Sequence, residues 1–255
     1  MSNFSYLGVK TIIFYEIKDY FKEFQFNVIA PLINTILFVF ILSTIDKYYS
    51  FNSFTDSYIN FLIPGMVMLV VFQTSYNHLS EVIISMKQIG SFNDYLISPI
   101  SRIEIFLSFI LSSIFVSLVV AFINLIALSF FTDFEKINYI NLLYFLILSI
   151  IIFSSLGAIT GFLSFTWDVQ SSVSNFFIIP ISFLSGTFFS IDQLDKELKL
   201  FFEYNPFYYL VKGFRSSFFY NRDISFCNEL YLLILVITIF LFSLYIFKRG
   251  FRVIN

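Results

Sequence analysis

The chain has 255 residues, with 15 Lys and Arg against 17 Asp and Glu for a formal net charge of −2; 58% of it is hydrophobic and only 13% charged. A soluble domain carries about 25% charged residues, so this composition, with a mean hydropathy of +0.85, excludes a water-soluble fold, and the charge balance gives no basic footprint for nucleic acid. A single cysteine, Cys227, excludes an internal disulfide and a cysteine-based metal cage.

The charges are segregated. Six charge-free windows, at 24–45, 57–80, 105–132, 137–167, 169–191 and 230–247, run for 22, 24, 28, 31, 23 and 18 residues. About 20 apolar residues cross a hydrocarbon core as a helix. The expected fold class is therefore all-α: a polytopic membrane protein with six transmembrane helices.

In chain order, residues 1–25 lack the compact apolar run and small-residue cleavage site of a leader. Phe14, Ile17, Phe21 and Phe24 recur at helical spacing, opposed by Glu16, Lys18, Asp19, Lys22 and Glu23. This pattern reads as an amphipathic helix in the membrane interface, or one packed on a partner protein. The first span is placed at Phe26–Ile45, with Pro31 in its first turns, and a polar loop, Asp46–Tyr58, follows. The second span, about Ile59–Tyr76, carries Pro64-Gly65, where a kink is expected. A charged segment, Ser80–Glu104, then has room for a helix and a turn at Ser98-Pro99.

Spans three and four, Ile105–Phe131 and Ile140–Phe165, are joined by Thr132–Tyr139 and are long enough to tilt or protrude. A short turn at Trp167-Asp168 leads to span five, Val173–Phe189, which contains Pro180. The stretch Ser190–Glu229, charged yet rich in Phe and Tyr, reads as interfacial or re-entrant helices on the outer side. Span six, Leu230–Phe247, ends in Lys248, Arg249 and Arg252. The whole of 1–255 thus reads as one transmembrane domain. With the N-terminus inside, the two short outer loops carry only Lys47 and Lys136, so the positive-inside rule puts both termini in the cytoplasm.

The chemistry is constrained by what these residues omit. Proton or sodium coupling usually requires ionisable groups within the membrane, and the six spans have none at mid-depth. His78 and Glu81, at the inner end of span two, read either as a relay or as interfacial caps and subunit contacts. None of the eight glycines forms a G-x-x-x-x-G-K-[ST] loop, so the chain has no ATPase of its own and no catalytic residues are assigned. Asp192, Asp195 and Glu197 could hold calcium or simply form a solvated helix face, and no metal site is assigned. Gly157 and Gly161 form a G-x-x-x-G that permits close helix approach, within the chain or between copies.

Two stretches carry a resemblance. Pro180 to Ile191 reads PISFLSGTFFSI, and Tyr204 to Arg215 reads YNPFYYLVKGFR. Together they resemble the signature of the ABC-2 type permease family, in which a span ending P-x-x-x-L-S-G-x-F-F is followed by an outer N-P-x-x-Y-x-x-x-x-F-R. Ile63-Pro64-Gly65 and Ile97-Ser98-Pro99 also fit, and Leu194-Asp195 departs from the pattern where a proline is common. The resemblance implies a membrane subunit of an ABC exporter in the plasma membrane (bacterial inner membrane type), paired with a second permease copy and surrounded by lipid. ATP and Mg would be bound by a separate cytoplasmic ABC ATPase, not by this chain.

It further implies a coupling helix at 87–97, with Lys87, Gln88, Gly90, Phe92, Asn93, Asp94 and Leu96 as the ATPase contact. The substrate path would draw its polar groups from Asn34, Thr35, Gln73 and Asn77, and the outer gate from Gly186, Asn205, Pro206 and Tyr209. An uncharged path suits an amphipathic drug, a lipid or a lipid-linked glycan. Readings from other classes are a non-transporting membrane scaffold that recruits a cytosolic partner, and a membrane enzyme acting on lipids.

Overall fold

In a bilayer no water satisfies the backbone, so an apolar window must close its hydrogen bonds internally, and the helix is the way a single segment does so. The computed structural model describes residues 5–49, 58–132, 137–189, 195–218 and 225–249, and among them only helices and turns occur. The elements are α1 (Tyr6–Lys22), α2 (Ala30–Tyr49), α3 (Tyr58–Ile89), α4 (Phe92–Ile97), α5 (Arg102–Leu128), α6 (Tyr139–Leu163), α7 (Trp167–Val173), α8 (Ile179–Phe183), α9 (Lys196–Glu203), α10 (Pro206–Arg215) and α11 (Phe226–Arg249). The chain is an all-α polytopic membrane protein.

Five helical segments are long and apolar enough to cross a membrane: Gln25–Ile45, Tyr58–Ile89, Arg102–Phe131, Tyr139–Leu163 and Cys227–Arg249. The expected fifth crossing takes another form. Trp167 and Asp168 begin a helix instead of a turn, and α7, a π-helical turn at Ser174–Ile178 and α8 join into one rod that ends at Phe183. At 1.5 Å per residue that rod is about 25 Å long, shorter than a hydrocarbon core of about 30 Å. The chain then turns through Gly186, at φ +75°, before α9 and α10.

Two prolines, Pro31 and Pro180, stand near helix starts that follow a π turn. Gln25–Ile29 precedes Pro31, and Ser174–Ile178 precedes Pro180. A proline within a helix removes one hydrogen bond and clashes with the carbonyl four residues back; widening that turn moves the carbonyl aside. Span two is also longer than expected. Its helix continues without a break through Pro64-Gly65 to Ile89, about 48 Å in all, and so projects well past the lipid at one end.

The core is built on α3 and α6. Gly157 stands so close to α3 that an added Cβ would lie 2.3 Å from the Tyr76 carbonyl oxygen, and at Gly161 it would lie 2.9 Å from Ile83 Cβ. The G-x-x-x-G motif therefore serves packing within the chain. Phe72 and Phe153 stack beside this contact at 4.2 Å between ring centres. Buried serines stay satisfied by bonding back to their own helix, as Ser75 Oγ does to Val71 O (2.7 Å) and Ser154 Oγ to Ile150 O (2.6 Å). By contrast, only 17% and 28% of the crossing windows in α2 and α11 are buried, against 72% in α3.

Because α6 approaches α3 through a backbone contact, there is no flexible side chain to yield. Gly157→Val is expected to cost about 1–3 kcal/mol through overpacking, measured as a lower melting temperature of the detergent-solubilised protein. At Gly90 an added Cβ meets nothing within 4 Å, so valine there would cost only through the strain of its left-handed backbone.

Candidate functional site

At the end of the bundle that holds α1, α3 projects, stops and reverses. Gly90, at φ +81°, supplies the left-handed turn that lets the chain leave α3, and α4 follows as a six-residue helix. Pro99 and the capping box of α5 close the segment. Ser101 Oγ accepts from the Glu104 backbone, and the Glu104 carboxylate accepts from the amides of Ser101 (2.7 Å) and Ser5 (2.9 Å), which ties the start of α1 to the same cap.

The expected coupling residues divide by direction. Lys87 points inward: its Nζ donates to the carbonyls of Gly161 (2.8 Å), Phe162 (2.5 Å) and Ser164 (3.1 Å). It thereby satisfies the orphan acceptors at the C-terminus of α6 with a charge of the favourable sign. Gln88 is also engaged within the chain, accepting from Trp167 Nε1 at 2.6 Å and donating to Phe165 O at 3.3 Å. Phe92 is buried edge-on against Phe162 and Phe247 at 6.4 and 6.1 Å, seating α4 on the ends of α6 and α11. Gly90, Asn93 and Asp94 are exposed, while the side chain of Leu96 lies outside the described residues. Ile97, 83% exposed, joins the outward set, although nothing in its sequence pattern separates it from a core isoleucine.

The amphipathic helix α1 is rotated from its expected setting. Val9, Ile12 and Glu16 are buried, whereas Phe14 and Phe24 are exposed. Glu16 was expected on the charged face; instead Tyr95 Oη, from α4, donates to its carboxylate at 3.5 Å. Burial first, and the nearby charge of Asp19 second, push the Glu16 carboxyl up to about 7, against the opposing effect of that hydroxyl. Phe14 and Phe24 are thus left outside while Phe21 packs on Val28, Val70 and Val120, and the bundle takes a stripe that includes an acid.

The expected path residues form two separate groups. Gln73 and Asn77 share one face of α3 and line a small cavity of about 210 Å³ with Asn27, Pro31 and Thr74. Asn77 Oδ1 accepts from Gln170 Nε2 (3.1 Å) and Ser174 Oγ (3.5 Å) of the rod that α7 begins. Asn34 is exposed on α2, and Thr35 is buried with its hydroxyl on Pro31 O (2.8 Å).

Gly186, Asn205, Pro206 and Tyr209 gather at the opposite end. Asn205 caps α10 by accepting from Phe207 N (3.0 Å) and donating to Leu184 O (3.0 Å), with Pro206 at the first helical position, where its missing N–H is harmless. The Tyr208 ring passes so near Gly186 that an added Cβ would be 3.0 Å from it, and Tyr209 packs on Tyr208 at 5.4 Å. In the expected calcium group, Asp195 and Glu197 are exposed and Asp192 lies outside the described residues.

Arg215 is the residue that sequence reasoning missed as a functional position. Its Nε donates to Phe61 O (3.1 Å) and one terminal nitrogen to Gly186 O (3.0 Å) and Thr187 O (3.4 Å). Its guanidinium also lies 3.6 Å over the Phe61 ring. A planar, permanently charged fork suits three backbone acceptors at once, and so one side chain fastens α10, α3 and the Gly186 turn together. The signal available was its place at the end of the N-P-x-x-Y-x-x-x-x-F-R string.

Residues 8–219 match the family model described as ABC-2 type transporter. The chain is also similar to the inner membrane transport permease YadH of Escherichia coli K12, at 23% identity over 255 residues covering 98% of each chain. The YadH proteins of Escherichia coli O157:H7 and Shigella flexneri match with the same identity and coverage.

The burial of Glu16 generates a pH dependence. Docked, its pKa lies near 7, above the ordinary 4.5, so the docked helix holds the proton more tightly than the undocked one. Docking of α1 is therefore firmest below about pH 4.5 and weakens as pH rises through about 7. Hydrogen exchange of the α1 amides, corrected for the intrinsic rate, should show protection falling by about tenfold or more between pH 5 and pH 8. In Glu16→Gln that slope should flatten.

Proposed function

The chain belongs to the ABC-2 type transporter family, and from that premise we propose that it is the permease subunit of an ATP-driven exporter in the inner membrane. It forms half of a translocation path completed by a second permease copy. ATP and Mg are bound and consumed by a separate cytoplasmic ATPase subunit. Both termini and the α3–α5 connection face the cytoplasm. The single observation that carries this reading is the end of α3: a helix prolonged beyond the lipid, a left-handed joint at Gly90, and a short helix whose polar residues Asn93 and Asp94 are exposed while Phe92 is seated on the bundle.

That arrangement suits transmission of force. A partner that grips Asn93 and Asp94 pushes on α4, which passes the push on through its own side chains and through the end of α3. Phe92 bears on α6 and α11, Tyr95 reaches Glu16 on α1, and the Lys87 amine ties the end of α3 to the end of α6. Displacement of α4 therefore moves the α3–α6 pair as a rigid body, which is how packed helices pass on a local movement. Closure of the ATPase drives transport only if the partner binds the two permease states unequally. At the far end the pair is fastened to α10 and the Gly186 turn through Arg215, so the same movement reaches the outer segment. The sparsely covered faces of α2 and α11 leave surface for a second copy as well as for lipid.

The reading is tested on the complex reconstituted with its ATPase in proteoliposomes. Asp94→Lys places the wrong charge on an exposed position outside the spans, so the chain should insert and fold normally. Permease-stimulated ATP hydrolysis should nonetheless fall by about tenfold, the equivalent of one lost charged contact across an interface. Wild-type stimulation in Asp94→Lys would remove α4 as the ATPase contact.

A further inference from the structure

Between α1, the projecting end of α3 and α4 lies a cleft of about 540 Å³, within the size range of small-molecule sites. Its polar lining is of one sign. Glu16, Asp19 and Glu23 face it from α1 and Glu81 from α3, while the cation in its lining, Lys22, is already paired with Asp19 at 2.7 Å. The neighbouring bases look elsewhere: Lys10 and Lys18 are exposed and do not line the cleft, and Lys87 is spent on the end of α6. The rest of the wall includes Tyr15, Tyr20, Tyr95 and Trp167. Carboxylates beside electron-rich ring faces make a site for an organic cation.

A second, independent observation lies at the back of this cleft. His78 is 2% exposed, and among the described residues neither ring nitrogen has a hydrogen-bond partner; the ring stands edge-on to Tyr20 at 5.2 Å. Buried polar groups are nearly always satisfied, and a neutral imidazole keeps one nitrogen free to accept an N–H. His78 lines both this cleft and the 210 Å³ cavity at the start of α2, and Tyr20, Asn27 and Glu81 are shared between the two. Beyond them the cavity is polar on its α3 side, at Gln73, Thr74 and Asn77, and carries Phe26, Pro31 and Val70 as its apolar contacts, so a molecule whose head is held at Glu81 and His78 can lay a tail against those three.

We propose that this cleft binds amphipathic organic ammonium ions: the cationic nitrogen sits among Glu16, Glu81 and the tyrosine rings, donates an N–H to His78, and the apolar tail runs past Phe26 and Pro31. This inference deepens the permease reading by assigning a cargo class and rests on that reading only for its role in transport. It sets lipophilic amines apart from phosphate-bearing lipids and glycans, which an acidic lining with its one lysine already paired disfavours.

Trp167 is the single tryptophan of the chain and lines the cleft, so its fluorescence reports binding directly. The purified full chain, in neutral detergent, is titrated with dodecylammonium, dodecyltrimethylammonium and dodecyl sulfate at low matched mole fractions. The expected result is a saturable change with dodecylammonium, weaker affinity for the trimethyl analogue that lacks N–H, and no saturable change with the sulfate. Glu81→Gln, and at the exposed rim Glu23→Gln, should each weaken dodecylammonium binding, the former by about tenfold.

A saturable response to the sulfate in the same range, or wild-type affinity in both variants, would overturn the proposal. Equal affinity for the primary and quaternary amines would overturn the part given to His78. The assay needs no ATP and no partner subunit. A negative result therefore leaves stimulation of the ATPase, which tests the permease reading, as a separate and unaffected measurement.

Discussion

The contact on which the rest of the molecule depends is the approach of α6 to α3 through Gly157. A side chain there would collide with the Tyr76 carbonyl, so the two backbones lie against each other and the stacked rings of Phe72 and Phe153 fill the space alongside. In lipid no hydrophobic force draws helices together, and association relies on close packing and on polar ties. The pair has both, since Lys87 fastens its basal end by donating to three terminal carbonyls of the α6 region. Everything with a claim to function hangs from it: α4 below, the Arg215 fastening above, and the cleft against α1 on one side.

This dependence explains why the charged residues are distributed as they are. Lys87 and Arg215 spend their charge on backbone acceptors, one at each end of the α3–α6 pair, where a helix terminus or a sharp turn leaves carbonyls without partners. Glu104 does the converse with the amides of Ser5 and Ser101. The acids of α1 and Glu81 have no such employment and are left facing a cleft. These charged side chains therefore gather at the two ends of the helix pair and not at its middle, in keeping with the proposed role as a permease subunit.

Much of this was legible in the sequence because lipid imposes a simple rule. A charge-free window must be a helix, and the α2, α5, α6 and α11 windows fall close to their expected positions. The family signature also singled out Gly186 and Asn205, which stand at a left-handed turn and at the N-cap of α10. Direction was less accessible. Lys87 and Asp94 look equally polar on paper, but one is turned toward α6 and the other away. Glu16 sits among charged neighbours in sequence yet is turned inward, since rotation of α1 is decided by its fit to α4 and α5. The helix at the fifth window begins earlier than expected because Trp167 and Asp168 resemble a turn, and no composition rule foretells the π turn that precedes Pro180. The projection of α3 to Ile89 was hidden by its charges, which mark emergence from lipid and not the end of a helix.

The central claim is that the bend after α3 faces the cytoplasm and is gripped there by another polypeptide. Replacing Cys227 by serine leaves a cysteine-free chain, into which one cysteine is introduced by Asp94→Cys. A membrane-impermeant maleimide is then applied to right-side-out and to inverted vesicles, with and without the ATPase subunit. The account predicts labelling in inverted vesicles alone and protection once the ATPase is bound. Labelling in right-side-out vesicles, or labelling that the ATPase leaves unchanged, would contradict it.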